Sequence, residues 1–377
     1  MAEPGEKQES GVPAYFDWVD ALRGIAALIV VVFHYHHFYL QDYRGRGEIP
    51  AIAEFPYASI LSPLYHYGAN AVELFWVISG FVFMHVYLRK KTSFGGFWLA
   101  RFARLYPLHF ATLLFVALIQ AINWSAFGTW QIYGENDLRH FGLQLFLATN
   151  WSNLSRGLSF NGPIWSVSVE IAAYMLFFLG IWALRRFRLL AAGVICAVCL
   201  ILSQADWFDP PFIRKALFVC AAYFFFGSCI YFLFLACRGR RTLIGTGMAA
   251  FAGTAVLMVL AGQSWLLLPL VSAGLILGAA LLDLTAGSLG HRLKHLGDIS
   301  YSLYLVHVPI QMVFLTVVDF IAPGYRGFAG SYWLLPAHLA LSCLLATLVY
   351  RWFELPAGRF LRQRLGRRDR PAKAASS

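Results

Sequence analysis

Charged residues are scarce in this sequence. Of its 377 residues only 13% are Asp, Glu, Lys or Arg, whereas 59% are hydrophobic. An ordinary soluble domain has about one quarter charged residues. A soluble protein this apolar would expose large apolar patches on its surface and aggregate. The scarcity of charge excludes an ordinary soluble domain and indicates a protein that lies in a lipid bilayer.

Cysteine is also scarce, and its spacing predicts neither a metal site nor a redox site. Five of the six cysteines lie inside apolar segments, and Cys237 lies at the end of one. Cys196 and Cys199 form a C-x-x-C pattern, but without a second pair or a nearby histidine. We expect small buried side chains here, and we predict that the protein binds no metal.

The sequence lacks the features of a removable signal peptide. The first 19 residues are mostly polar and of mixed charge, so no basic region precedes the first apolar run. That run continues into His34-Tyr35-His36-His37 instead of a small-residue cleavage site. It is therefore predicted to be a retained membrane helix.

The positive net charge does not indicate a nucleic-acid partner, although a charge of +11 raises that question. The basic residues lie in short connections between apolar runs and in the C-terminal tail. That distribution orients helices in a membrane. We therefore expect membrane lipid, and no nucleic acid, around this protein.

Long apolar runs are what the sequence does contain. They have about 20 residues each, the length that crosses a hydrocarbon core of roughly 30 Å. They predict an all-α bundle of ten transmembrane helices within a membrane domain at 20–354, after a polar segment at 1–19 and before a basic, disordered tail at 355–377. The apolar stretch 141–151 is too short to span. The ten predicted spans are 21–40, 68–88, 102–122, 163–184, 188–205, 214–236, 243–262, 264–283, 297–320 and 332–354.

The basic residues predict the orientation of this bundle. Lys and Arg on alternate connections number twenty on one side and seven on the other. Because basic residues concentrate on the cytoplasmic side, both termini are predicted to be cytoplasmic. The long loops 41–67 and 123–162 then face outward.

Ionisable side chains inside spanning helices cost free energy unless they are paired or hydrated, so they are candidate functional residues. In the first span, Arg23 and His34 are eleven residues apart and share one helix face, about 16 Å from each other. Asp20 precedes Arg23 by three residues and can pair with it. Arg23 is equally explained by a basic side chain that reaches the headgroups, and His34 by an interhelical hydrogen bond.

Other spans carry further candidates at comparable depth. Glu170 lies about 10 Å into the fourth span, at a depth similar to that of His34. A carboxylate beside an imidazole fixes its tautomer and raises its basicity, so we predict a contact between Glu170 and His34. His307 lies at about mid-depth in the ninth span.

Small and basic residues mark the second and third spans. Ser79 and Gly80 lie in the middle of the second span, where close helix approach alone would also explain them. Arg101 and Arg104 share a helix face near the predicted cytoplasmic surface. Two guanidinium groups there can bind phosphates bidentately or simply anchor the helix.

Five segments together closely resemble the acyltransferase-3 family of membrane O-acyltransferases. They occur in the family's order and extend over most of the chain. The segments are DALRGIAALIVVVFHY (20–35), ELFWVISGF (73–81), ARFARLYPLH (100–109), GPIWSVSVE (162–170) and GDISYSLYLVH (297–307).

The resemblance implies transfer of an acyl group, often acetyl, from cytoplasmic acyl-CoA to a hydroxyl of an extracytoplasmic acceptor. A bacterial surface glycan or a lipid-linked sugar is the expected acceptor, and the bacterial inner membrane the expected location. Many relatives have two carboxylates at the end of the fourth motif, whereas here Ile171 follows Glu170. The family motifs match the Arg23 and His34 pair, the phosphate-binding Arg101 and Arg104, Ser79-Gly80-Phe81, and Trp165-Ser166 with Glu170.

Our mechanistic hypothesis makes His34 the general base for the acceptor hydroxyl, or a transiently acylated relay. Glu170 orients it, and Ser79 or Tyr301 donates to the oxyanion. The candidate catalytic residues are His34, Glu170, Arg23 and Asp20, and the candidate acyl-CoA-binding residues are Arg101, Arg104, Ser79, Gly80, Tyr301 and His307.

Two other functions remain open at this point. Mid-membrane His and Glu also fit a proton-coupled exporter of small organic acids, although the sequence lacks paired Gly/Pro-broken helices in matching halves. A non-catalytic membrane partner of a polysaccharide assembly complex is the third possibility.

Overall fold

A computed structural model describes residues 12–42, 49–155, 157–204, 213–260, 267–285 and 287–366 of the chain. These residues form helices joined by turns and loops, and the described ranges contain no β-strand. The predicted all-α class is therefore confirmed. Within the described ranges fourteen α-helices follow one another as α1 (Asp17–Phe33), α2 (Ala58–Tyr67), α3 (Ala71–Tyr87), α4 (Phe94–Phe127), α5 (Leu138–Leu145), α6 (Ile164–Phe187), α7 (Leu189–Gln204), α8 (Lys215–Cys237), α9 (Arg241–Leu260), α10 (Leu267–Thr285), α11 (Gly287–Asp298), α12 (Ser300–Ile321), α13 (Leu334–Val349) and α14 (Leu355–Gly366).

Helices lie where the ten apolar runs predicted them. Within the described ranges, eight helical stretches are long and apolar enough to cross a membrane. The helices in the other two predicted spans, at 188–205 and 243–262, are α7 and α9. The number of crossings and the side of each terminus stay predictions. The eight stretches are Asp17–Tyr39, Ala58–Tyr87, Phe94–Phe127, Ile164–Phe187, Lys215–Cys237, Leu267–Thr285, Ser300–Ile321 and Leu334–Leu365.

Helix α4 connects the two ends of the bundle. The Ser93 hydroxyl accepts from the Gly96 backbone N–H at 3.1 Å and so caps its first turn. Gly128, with a φ of +65°, ends it in the left-handed conformation that suits glycine. Its 34 residues span about 51 Å. Arg101 and Arg104 therefore lie at one end of the bundle, and Trp124 at the other.

Gly80 allows α3 and α8 to pack closely. A Cβ atom at Gly80 would lie 1.7 Å from the Phe224 carbonyl oxygen, and one at Gly227 would lie 1.9 Å from that of Val77. Such small-residue contacts are a common way for membrane helices to associate. The structure thus gives Gly80 a packing role, and its binding of the acyl donor stays a prediction.

The C-terminal tail differs in part from its prediction. Helix α13 continues through a π-helical turn, Tyr350–Glu354, into α14. The chain is therefore helical from 355 to 366, where disorder was expected. Part of the reason is contact with α4, because a Cβ atom at Gly358 would lie 2.8 Å from the Ala103 carbonyl oxygen. Residues 367–377 of the predicted tail and 1–11 of the predicted N-terminal segment lie outside the described residues.

Candidate functional site

Most of the predicted site residues line one cavity, which we call the arginine cavity. It encloses about 180 Å³ between the starts of α4 and α12, the middle of α3 and the first turns of α6. Its walls combine three guanidinium groups, one carboxylate and several aromatic rings. Predicted residues that line it are Arg23, Ser79, Arg101, Arg104, Glu170 and Tyr301, and residues added by the structure include Ser166, Tyr174, Ser300 and Tyr304.

The three arginines of this cavity are held differently. Arg23 donates to the Asp20 carboxylate at 2.8 Å, which confirms the predicted pair. Asp20 is buried but does not line the cavity, so its contact with the site runs through Arg23. Arg101 lies over the Phe83 ring at 4.9 Å and donates to the Tyr87 hydroxyl at 3.3 Å. Its Nε has no hydrogen-bond partner within the described chain, so Arg101 keeps a donor free for a ligand.

Arg104 pairs with a carboxylate that the sequence analysis did not single out. Its Nη1 forms a short ion pair with Glu354, whose other oxygen accepts from the Ser302 hydroxyl at 2.5 Å. Glu354 is buried at the end of the π-helical turn, and such turns occur frequently at functional sites. An arginine has five N–H donors in a planar fork. Arg104 can therefore bind Glu354 with one edge and an anion in the cavity with the other.

Glu170 contacts hydroxyl groups instead of His34. The hydroxyls of Ser79 and Tyr174 hydrogen-bond to it, while its Oε1 is buried without a partner among the described residues. The predicted contact between Glu170 and His34 does not occur, because each has other partners. Glu170 lies in the arginine cavity beside Arg23 and Arg101, whereas His34 lies with His307 farther along the bundle, so the two side chains are not at the same depth.

The two hydroxyls proposed as oxyanion donors are already engaged. The Ser79 hydroxyl bonds to Glu170, and the Tyr301 hydroxyl donates to the Leu105 carbonyl oxygen at 2.6 Å. Both residues line the arginine cavity. Their observed contacts support a role in shaping that cavity, and the predicted oxyanion role finds no free donor at either residue.

His34 lies in a second group of side chains, the histidine cluster, formed by His34, His36, His37, His307 and His338. His34 begins a short 3₁₀ turn after α1, and its ring centre is 5.1 Å from that of His307. Its Nδ1 lies 2.9 Å from the Val30 carbonyl oxygen and 3.2 Å from Nε2 of His307. His307 was predicted to bind the acyl donor; here it contacts His34 and does not line the arginine cavity.

These contacts define the tautomer of His34. A carbonyl oxygen only accepts hydrogen bonds, so Nδ1 of His34 carries the proton that points to Val30. Nδ1 of His307 likewise donates to the Leu303 carbonyl oxygen at 3.2 Å, so Nε2 of His307 is an acceptor. The single Nδ1 proton of His34 is then shared between the Val30 carbonyl oxygen and, at the longer distance of 3.2 Å, Nε2 of His307. Nε2 of His34 is then an unprotonated lone pair. That is the form a general base requires.

A glutamine fixes the backbone beside this imidazole. Gln311 donates to the His34 carbonyl oxygen at 3.0 Å, and its Oε1 lies 2.9 Å from Nδ1 of His37. Gln311 is fully buried in α12, one turn beyond His307. The backbone and ring of His34 are therefore both held by α12.

Tyr304 separates the arginine cavity from the histidine cluster. Its ring lines the cavity and lies 6.0 Å from the ring of His307, centre to centre. Its hydroxyl lies 2.7 Å from the Ser166 hydroxyl and donates to the Pro163 carbonyl oxygen at 3.0 Å. The fourth family motif thus contributes Glu170 and Ser166 to the cavity and also fixes the orientation of Tyr304.

Sequence reasoning missed Glu354, Gln311 and His338. All three are buried and lie in the last two predicted spans. The signal was present, because a polar or ionisable residue inside an apolar span is a candidate in itself. The rule selected His307 in the ninth span; applied to every residue of these two spans, it would have selected all three.

Three comparisons with known proteins bear on this site. A family model described as an acyltransferase domain (Acyl_transf_3) matches residues 16–352. Acyltransferase MdmB of Streptomyces mycarofaciens is 34% identical over 139 residues, which are 35% of this chain and 34% of that protein. Protein 2 in picA locus of Rhizobium radiobacter is 38% identical over 109 residues, which are 28% of this chain and 46% of that protein. The matched regions thus span less than half of either relative, and no solved structure matches.

Proposed function

This chain belongs to the acyltransferase-3 family, and from that premise we propose that it moves an acetyl group from cytoplasmic acetyl-CoA to a hydroxyl of an extracytoplasmic acceptor. The proposed acceptor is a glycan or a lipid-linked sugar, and the proposed location is the bacterial inner membrane. One observation carries this proposal: in a cavity lined by three arginines, Tyr304 also contacts the ring of His307, which in turn contacts His34.

The arginine cavity supports the choice of donor. CoA carries several phosphates, and guanidinium groups bind phosphate through paired, charge-assisted hydrogen bonds. Arg101 offers its partnerless Nε, and Arg104 and Arg23 each keep donors beyond those used by Glu354 and Asp20. The excess of basic residues on the predicted cytoplasmic side of the sequence supports binding of the donor from that side.

His34 supports direct transfer. Its Nε2 takes the proton of the acceptor hydroxyl while the hydroxyl oxygen attacks the thioester carbonyl carbon. The carbon–sulfur bond then breaks, the CoA thiolate leaves, and the proton on His34 passes to that thiolate. The Val30 carbonyl oxygen and His307 hold Nδ1 throughout, so the imidazole presents the same nitrogen in every turnover.

The position of the Tyr304 ring, beside both the arginine cavity and His307, means that the ring has to move before the reaction. The Tyr304 ring lines the arginine cavity and lies 6.0 Å from the His307 ring, so a thioester that moves from the cavity toward His34 and His307 meets this ring. The hydrogen bonds from Tyr304 to Ser166 and Pro163 hold the ring in place. We propose that the CoA part of the donor, once bound in the arginine cavity, displaces the Tyr304 ring. The thioester end of the same molecule then moves toward His34.

Labelled acetyl-CoA and purified protein in nanodiscs test the proposed function. Release of CoA that depends on an added acceptor, with label appearing on the acceptor, is the expected result. Movement of an organic acid across reconstituted vesicles without consumption of CoA would support the exporter instead. Absence of both signals would support the non-catalytic partner. The family assignment favours the enzyme over these alternatives.

A further inference from the structure

A second cavity lies at the opposite end of the bundle, and neither family motif nor mechanism uses it. This tryptophan cavity encloses about 690 Å³ where the end of α4 meets the start of α5. That volume lies in the usual range for small-molecule sites, roughly 300–1,000 Å³. Its wall includes Trp130, Asn136, Asp137, Arg139 and Phe160.

Trp130 forms an aromatic wall. Its ring stacks on Trp124, with ring centres 4.4 Å apart and planes inclined by 23°. The stack fixes a large flat apolar surface at the edge of a cavity that is otherwise partly polar. Aromatic side chains of this kind combine a large contact area with a defined geometry.

Asp137 and Arg139 add one charge of each sign, and both side chains are exposed. The His140 backbone N–H donates to Asp137 at 2.8 Å and lowers the pKa of its carboxyl, so the group is ionised at neutral pH. The amide of Asn136, by contrast, is already bonded to the backbone of Tyr133 and Phe160. The cavity thus offers an acceptor and a donor to a ligand with little net charge.

Tyr133 connects this cavity to the histidine cluster. Its ring meets that of His37 edge-on, with centres 5.6 Å apart, and its carbonyl oxygen accepts from Asn136 at 2.6 Å. Its hydroxyl is buried and has no hydrogen-bond partner in the described chain. A Cβ atom at Gly162 would lie 2.4 Å from this ring, so only glycine there leaves room for it. The fourth family motif therefore begins with the residue that accommodates Tyr133.

We propose that the tryptophan cavity binds a neutral sugar ring of the acceptor, with Trp130 against its apolar face and with Asp137 and Arg139 bonded to its hydroxyls. The ring hydroxyl that is acylated points past Tyr133, whose unpartnered phenol is available to it, toward His34. This assignment rests on the proposed function. It adds the location of the acceptor and the residues that select it.

The charges of the wall favour a sugar over two competing ligands. An anionic lipid headgroup would be repelled by Asp137. A metal ion is the other candidate, because Glu135, Asp137 and His140 place ligand atoms within 4.8 Å of one another. Nε2 of His140 lies 3.8 Å from Glu135 and has no hydrogen-bond partner among the described residues. Such an ion would leave Trp130 and Arg139 without a role. A sugar uses both.

Binding of a panel of methyl glycosides (glucoside, galactoside, mannoside, rhamnoside and N-acetylglucosaminide) to the full chain in nanodiscs tests the proposal. Saturation-transfer NMR identifies the glycosides that bind, and calorimetry measures their affinity. Trp130→Ala is expected to raise the dissociation constant by about tenfold or more, as truncation of an aromatic anchor does. Asp137→Asn, which preserves the cap of α5, is expected to weaken binding less.

Trp333→Ala is the matched control, because Trp333 is an exposed tryptophan at the start of α13 and lies outside this cavity. CoA affinity, measured on the same samples, is expected to be unchanged in all three variants. The sugar site is overturned if no glycoside binds the wild type, or if Trp130→Ala binds as the wild type does. It is also overturned if Asp137→Asn abolishes binding of Zn²⁺ or Mn²⁺ and leaves glycoside binding intact. Failure of the wild type to bind CoA would instead count against the proposed function.

Discussion

The arginine cavity and the histidine cluster lie about 16 Å apart along α1, and they treat charge in opposite ways. In the cavity, cations are paired or stacked: Arg23 with Asp20, Arg104 with Glu354, and Arg101 on the Phe83 ring. In the cluster, the ring nitrogens of His34 and His307 bond to backbone carbonyl oxygens and to each other. The first arrangement suits a ligand that brings negative charge, and the second keeps an uncharged base in the bilayer interior. Binding and chemistry are thus separated along one helix.

The largest loss of turnover is expected at His34, because in the comparison of the two regions the histidine cluster carries out the proton transfer and the arginine cavity binds the donor. His34→Ala should lower kcat by about 10²–10⁴-fold, the usual contribution of a general base, and leave the dissociation constant for CoA unchanged. Turnover of labelled acetyl-CoA and calorimetry with CoA measure the two quantities. His66→Ala is the control, since His66 is exposed on α2 and lies outside the histidine cluster. Near-normal turnover in His34→Ala would contradict the assignment.

A smaller effect, on binding alone, is expected at Arg101. Arg101→Lys keeps the positive charge but loses the planar fork and its stacking on Phe83. We expect CoA affinity to fall by about tenfold to one hundredfold, the value of one charged hydrogen bond, with kcat little changed at saturation. Arg359→Lys, at an exposed arginine of α14, should bind CoA normally. Equal CoA affinity in Arg101→Lys and Arg359→Lys would mean that Arg101 only anchors its helix at the membrane surface.

Variants of Glu354 distinguish two roles for its ion pair with Arg104. Glu354 either positions the guanidinium for phosphate or competes with phosphate for it. If Glu354 positions the guanidinium, Glu354→Ala should weaken CoA binding by about tenfold. Glu354→Gln, which keeps an acceptor for Arg104 and a partner for Ser302, should weaken it less. Calorimetry with CoA distinguishes the two variants. Tighter binding in both would mean that Glu354 competes with phosphate for Arg104.

The smallest effect on CoA binding and turnover is expected at Gly80, which lies in neither the arginine cavity nor the histidine cluster. Gly80→Ala forces α3 and α8 apart, because its Cβ would meet the Phe224 carbonyl oxygen. We expect a loss of about 1–3 kcal/mol in stability, seen as a lower melting temperature in detergent, and unchanged CoA affinity in the folded fraction. Gly193→Ala is the control, because no atom lies within 4 Å of a Cβ atom there. A selective loss of CoA affinity would support the prediction that Gly80 belongs to the donor site.

Local relations were predictable from the sequence, and long-range ones were not. Asp20 and Arg23 are three residues apart on one helix, so helix geometry alone brings them together. The apolar runs predicted the positions of the helices for the same reason. Arg104 and Glu354 are 250 residues apart, and their contact depends on how α4 packs against α14. No pattern in the sequence determines that packing.

The failure of the His34 and Glu170 contact has the same origin. Their depths were estimated along two separate helix axes, and the sequence does not show how far one helix is shifted along the other. In the structure Glu170 lies at the level of Arg23, not at that of His34. The family motifs selected Arg101, Arg104 and Glu170 as candidates, but the sequence analysis placed Glu170 beside His34 and not in the cavity that these three residues share. The motifs did not show that His34 turns toward His307.

The carbonyl oxygens that hold the histidine cluster also bear on the electrochemical gradient of the membrane. Neighbouring imidazoles in a bilayer would form a wire for protons if each one passed its proton to the next. Here the Nδ1 protons of His34, His36 and His307 point to the carbonyl oxygens of Val30, Phe33 and Leu303, and among the described residues only His34 and His307 also share a ring-to-ring hydrogen bond. One such link does not make a continuous chain of imidazoles. The carbonyl oxygens accept a hydrogen bond but do not pass a proton on. We therefore expect the protein to move a proton during each transfer without leaking protons across the membrane.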